Sequence, residues 1–191
     1  MGVSVFPAAS GGASVAEGNA AGWGSNAWIQ LAAVNAVVGT SNYSFTGLSG
    51  YRKIRFGVTG IETSSAGGTA RLVFNGDSGS NYSWTNTLMQ ANQTSPFRTI
   101  FGNANSNIVL CGIAASGYVF HTVAEIDNVS GTHKPVRHRS HVSGEDFYWA
   151  NNPTSVEGFA TWRDNTAINQ IEFLFPSTNN TVGRIHIWGQ V

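Results

Sequence analysis

In this chain apolar side chains recur at every second position in short runs, and glycine and asparagine break the runs again and again. A period of two belongs to a strand with one covered face, because successive side chains leave opposite sides of an extended backbone. Residues 53–59 show it most clearly, with Ile54, Phe56 and Val58 in one phase and Lys53 and Arg55 in the other. No 3.6-residue period persists for three turns. Strands are expected over 28–34, 43–46, 53–59, 71–74, 82–87, 97–101, 107–113, 119–126, 136–142, 159–163, 168–175 and 184–190. Many short strands between turn clusters predict an all-β fold, an antiparallel β-sandwich or jelly roll. Trp28, Phe56, Phe74, Trp162, Phe173 and Trp188 are the expected core fillers.

The first 26 residues differ in kind. Residues 1–26 are rich in Ala, Gly and Ser and hold no sustained period, so they bury too little apolar surface to offset their ordering entropy alone. The expectation is an extended N-terminal arm over 1–26, or else a disordered leader or linker, and a sandwich domain over 27–191; the arm reading makes Val3, Val5, Phe6 and Trp23 its contacts to a neighbouring subunit. At 191 residues the chain is long enough for one self-sufficient core.

Charge narrows the function classes. Ten basic residues balance ten acidic ones, which argues against a sequence-blind nucleic-acid binder. Charged residues are 10% of the chain, well under the roughly 25% of typical domains, so the surface is expected to be neutral and polar. No run approaches the roughly 18 apolar residues of a membrane span. The N-terminus also lacks a basic segment followed by an apolar core, so no secretory signal is expected. Cys111 is the one cysteine, set among apolar neighbours, and a buried inert thiol is predicted.

Residues 71–84, RLVFNGDSGSNYSW, carry two strand signals around a polar loop, and Asn, Gly, Asp and Ser there favour chain reversal. A hairpin-like corner is predicted. The FNGDSGSNY corner resembles one that recurs in small β-sandwich modules of tailed-phage virion proteins, among them minor tail, tail-fibre-type and head-surface proteins. The likeness extends to residues 28–56, a tryptophan strand followed by SFTGLSGY and KIRF, and to residues 168–191, which look like a closing strand pair. The resemblance implies a virion protein that is assembled in the host cytoplasm and has other tail or capsid subunits as partners. A homo-oligomer, in the form of a trimer, is expected with it.

Candidate chemistry is sparse. Gly76-Asp77-Ser78-Gly79 matches the nucleophile neighbourhood of chymotrypsin-like proteases, but those place histidine and aspartate before the serine, and the first histidine here is His121. The late Asp-x-x-His of an SGNH-type esterase is missing after Asp127, Asp146 and Asp164. Asn75, Asp77, Ser80 and Asn81 offer oxygens to calcium but only one carboxylate, so Asx-turn bonding is the expected role. In HKPVRHRSH, a strand puts Arg137, Arg139 and His141 on one face and Val136, His138, Ser140 and Val142 on the other, which separates His138 from His141 as zinc ligands. The arginine stripe suits phosphate, sulfated sugar or an acidic neighbour.

Tyr82, Trp84, Tyr148, Trp149, Asn151 and Asn152 are the candidate sugar contacts, since aromatic faces stack on pyranose rings and amides bond hydroxyls. A depolymerase would need paired carboxylates, with Glu145 and Asp146, or Glu157 and Asp164, available. The sequence reading is a non-enzymatic virion structural protein without cofactor or metal, acting in assembly and host attachment. Its alternative is a lectin-like carbohydrate-binding module that takes a host surface glycan.

Overall fold

The computed structural model describes residues 3–4, 27–62, 68–90, 97–112, 117–143, 154–175 and 183–191. They form thirteen strands and no helix: β1 (Val3–Ser4), β2 (Ile29–Asn35), β3 (Asn42–Phe45), β4 (Lys53–Glu62), β5 (Thr69–Phe74), β6 (Tyr82–Gln90), β7 (Phe97–Asn105), β8 (Ile108–Gly112), β9 (Val119–Asp127), β10 (Lys134–Ser143), β11 (Thr154–Trp162), β12 (Ile171–Leu174) and β13 (Arg184–Gln190). One sheet has five strands in the order β1-β3-β12-β5-β8; the other has eight in the order β2-β13-β4-β9-β10-β11-β6-β7. Among the described residues every strand pair is antiparallel except β1 with β3. The predicted all-β sandwich is what the chain forms.

The inner faces meet over two aromatic groups. Phe173 on β12 packs against Tyr43, Phe56, Phe120 and Phe175, with ring centroids 5.3–6.3 Å apart. Phe74, Tyr82 and Trp162 form the second group, at 5.7–6.3 Å. Strand alternation puts them there: β10 alternates buried and exposed residues along most of its length, and β9 and β11 do the same in phase with it.

Three expectations are corrected. The 71–84 corner is no hairpin, because β5 pairs with β12 and β8 in one sheet while β6 pairs with β11 and β7 in the other. The corner therefore carries the chain from layer to layer. For the same reason residues 168–191 are not a closing pair: β12 lies between β3 and β5, and β13 lies between β2 and β4 in the opposite sheet. Trp28 and Trp188 are only half-buried and sit outside the core, Trp28 against the Arg55 guanidinium at 4.4 Å and Trp188 stacked on His186 at 5.2 Å. Trp188 is in register with Arg55, so it belongs to the solvent phase of β13.

Of the arm, Val3 and Ser4 pair with Tyr43 and Ser44 of the same chain, adding a short parallel edge to the five-stranded sheet. Val5, Phe6 and Trp23 lie outside the described residues.

Candidate functional site

The Gly76-Asp77-Ser78-Gly79 string lies in the corner between β5 and β6. Asn75 and Gly76 take positive φ, 52° and 67°, directly after β5. The Asn75 side chain then joins the corner to the approach to β12, donating to the Ala167 carbonyl at 3.0 Å and accepting from the Asn169 and Gln170 amides at 2.8 and 2.9 Å. Asp77 accepts from the Trp162 indole at 2.6 Å, the Asn81 amide at 2.9 Å and the Gly79 backbone at 2.8 Å. Partial burial raises the Asp77 pKa, but these three donors outweigh it and hold the carboxyl below its ordinary value. Both carboxylate oxygens are committed within the fold, so the loop is a structural knot.

Tyr82 and Trp84 were expected at the surface. Tyr82 is fully buried, with its hydroxyl accepting from the Phe74 amide at 2.9 Å and donating to the Asp77 carbonyl at 3.1 Å. Trp84 follows two residues later on the same inner face, half-buried against the core, and Tyr82 presents no stacking surface. Tyr148, Trp149, Asn151 and Asn152 lie outside the described residues. Glu157 pairs with Arg139, while the Asp164 carboxylate accepts from the Thr166 amide at 2.7 Å in the loop after β11, so this pair of acids does not face one site. Glu145 and Asp146 lie outside the described residues. Cys111 is buried, and burial pushes its thiol up to about 12, which makes it the inert sulfur expected.

The basic cluster divides as the alternation requires. Arg137 and Arg139 are exposed on β10, while His138 and Ser140 point inward. Lys134 is also turned inward, its ammonium on the Thr132 and Asp164 carbonyls. Inside the sandwich His138 Nε2 meets Asn86 Oδ1 at 3.1 Å, and the Asn86 amide donates to the Val109 carbonyl of β8 at 2.9 Å. Burial lowers the His138 pKa to about 4, so the ring is neutral at pH 7. Gly158 lies over this bond, and a Cβ there would fall 2.0 Å from His138 Nε2.

Outside, register lines up side chains across the eight-stranded sheet. One row runs Phe101, Thr85, Phe159, Arg137, Glu125, Arg55 and Trp188, each directly opposite the next on adjacent strands. The next row holds Glu157, Arg139, Val123 and Gly57. Phe101 is 79% exposed, Phe159 63% and Val123 49%, unusually bare for such residues. Arg55 pairs with Glu125 at 2.5 Å and Arg139 with Glu157 at 2.7 Å. Arg137 makes no ion pair with a described residue. Two shallow hollows follow the rows, one lined by Val123, Arg137, Arg139, Glu157 and Phe159, the other by Met89, His121, His141 and Ser155.

His121 and His141 face each other across β9 and β10, with ring centroids 6.5 Å apart. Burial, and then the neighbouring His141, hold the His121 pKa below its ordinary value; its Nδ1 accepts from the Gly60 amide at 3.3 Å. Among the described residues no three His, Cys, Asp or Glu side chains converge where a metal ion could sit. The outer face thus carries exposed Phe101, Phe159 and Val123 among charges of alternating sign.

Phe101, Phe159 and Val123 were missed as surface residues because hydrophobicity alone marks them for a core. Phase would have placed them: Phe159 is in step with exposed Glu157, and Phe101 with exposed Thr99. No protein-family model matches this chain, and a search of curated proteins finds no significant match.

Proposed function

We propose that this chain is a non-enzymatic structural subunit of a tailed-phage virion, exposed on the tail, fibre tip or head, that works by adhesion through the outer face of its eight-stranded sheet. The observation that carries the adhesive part is the bare Phe159 beside Arg137, which has no ion pair among the described residues, with the bare Phe101 two strands beyond Phe159 in the same row. Aromatics and arginine are the residues that dominate protein interfaces, and a shallow face favours contact over turnover. The virion context rests on the likeness of the FNGDSGSNY corner and its flanking segments, supported by the low charge content. The test is imaging of intact particles with an antibody raised against the purified chain. Label at a fixed position on the particle is the expected result; particles that carry none of the protein overturn the reading.

A lectin-like reading has one observation in its favour. Phe101 and Phe159 stand two strands apart in one row, about 10 Å, a spacing at which two rings of a sugar chain can be met. Glycan-array binding that is lost on Phe159→Ala supports it, and silence across host surface polysaccharides removes it.

A further inference from the structure

From the row on the outer face of the eight-stranded sheet, we infer that this face pairs with the same face of a second copy of the chain, about a two-fold axis parallel to the strands and between β9 and β10. The inference rests on reading the face as a protein-contact surface, and it is independent of where the protein resides on a particle.

The order of side chains across the strands sets the pairing. From β11 to β4 the row reads Phe159, Arg137, Glu125, Arg55: aromatic, cation, anion, cation. A two-fold axis along the strand direction reverses this order in the second copy while keeping the height along the strands. Arg137 then lies over the other copy's Glu125, and Glu125 over its Arg137. At the flanks each Phe159 lies over the other copy's Arg55, whose guanidinium already stacks on Trp28 at 4.4 Å. An aromatic ring, a guanidinium and a second aromatic ring make a cation–π sandwich. In the next row Arg139 falls over the other copy's Val123, which is 49% exposed, and its alkyl stem covers that apolar side chain.

Placing the axis on either neighbouring strand gap loses this match. Between β10 and β11, Arg137 lies over the other copy's Phe159, but Glu125 meets only Thr85. Between β9 and β4, Glu125 lies over the other copy's Arg55, and Arg137 falls on Trp188. The β9–β10 axis is the one that gives Arg137 a carboxylate.

Size is adequate. Eight strands at about 4.8 Å spacing and about seven residues at 3.3 Å per residue give a face of about 900 Å² per partner, close to the roughly 800 Å² per side of a standard interface. Two sheets stacking face to face is the same packing that the sandwich uses internally. The three-fold assembly expected from sequence is not what this row fits, because a self-reversing order of charges is satisfied by an isologous pair.

The experiment uses the full chain and its solution mass by sedimentation equilibrium. The wild type is expected as a concentration-dependent dimer. Arg137→Glu alone and Glu125→Arg alone each juxtapose like charges in their own pairs and raise the dimer Kd at least about tenfold. In an equimolar mixture of the two variants, the carboxylate introduced at position 137 of one faces the guanidinium introduced at position 125 of the other. The native Glu125 of the first likewise faces the native Arg137 of the second, so the mixture recovers a heterodimer near wild-type affinity. Phe159→Ser weakens the wild-type dimer, and circular dichroism of each variant shows the sandwich intact. A monomeric wild type, a trimer mass, or a variant mixture that stays monomeric overturns the arrangement. A wild type that stays monomeric and binds a polysaccharide through Phe159 overturns it in favour of a sugar surface. None of these outcomes bears on whether particles carry the protein, so the two ideas fail separately.

Discussion

His138 is the most consequential single side chain inside the sandwich. Its neighbours on β10, Arg137 and Arg139, are in water, yet strand alternation sends the imidazole between the layers, where Asn86 on β6 and Ser140 receive it. Because the Asn86 amide nitrogen is spent on Val109, its Oδ1 must accept, and His138 Nε2 therefore carries the proton. Protonating the second ring nitrogen would place a charge where burial has lowered the pKa to about 4. An unfolded histidine titrates near 6.5, so the unfolded chain binds the extra proton between those values. Stability from the neutral ring is fully present above about pH 6.5 and is lost as pH falls towards 4, a total of about 3 kcal/mol. His121 and His186, also held below their ordinary values, add smaller losses in the same direction. Urea unfolding at pH 7.5 and pH 4.5 should show this slope, and His138→Gln, which keeps a donor for Asn86, should flatten it. An unchanged slope in the variant would mean that the histidine is solvated in solution.

The link between β5 and β6 decides the architecture, since it moves the chain from the five-stranded to the eight-stranded sheet. Its geometry is held by Asp77, which ties the loop to Trp162 at the end of β11, and by Arg163, which donates to the Ser80 carbonyl at 2.8 Å. Asp77→Asn keeps the shape but sets an amide NH2 against one of the three donors, and the expected loss is about 1–3 kcal/mol in denaturant unfolding at pH 7. The loss should shrink at low pH, because the wild-type stability from this lowered carboxyl is present above the unfolded pKa and disappears as pH falls through the folded one. The same link marks the limit of what sequence makes legible. Alternation found a strand at each predicted place, though β11 starts at Thr154, five residues ahead of the predicted 159–163, and it fixed which face of β10 meets water. It could not say which strands share a sheet, because Arg71 to Trp84 has the same local chemistry whether the second strand folds back on the first or crosses to the facing layer. Pairing is decided by residues distant in the chain: Asn75 by its bonds to the 167–170 segment, Asp77 by Trp162. Tyr82 and Trp84 were misplaced for a related reason, since a strand's phase gives two faces and only the layer on the other side tells which is covered. Phe101 and Phe159 are the converse, apolar residues whose phase was readable and whose hydrophobicity argued against it.

For the molecule as a whole, the two ends of the chain's chemistry lie in different layers. Among the described residues, Val3 and Ser4 lie at the edge of the five-stranded sheet, whereas the aromatic and arginine rows cover the outer face of the eight-stranded one. Removing residues 1–26 should therefore separate two properties. The strand lost is two residues long, and at about 1 kcal/mol net per hydrogen bond the loss of its pairing with β3 costs about 2 kcal/mol, or a fall in Tm of about 4–8 °C for a domain of this size. The edge it uncovers is β3, four residues in which Tyr43 and Phe45 face inward, too short to template extended pairing. A cooperative thermal transition with the far-ultraviolet spectrum of the full chain is the expected outcome. The truncated chain should also self-associate as the full chain does, since the face that pairs is untouched, while its incorporation into particles should be lost if the segment is the tether. Truncation that leaves incorporation normal would strip the N-terminal residues of that role. Truncation that abolishes cooperative unfolding would show that the first 26 residues belong to the folding unit and that the two layers depend on them.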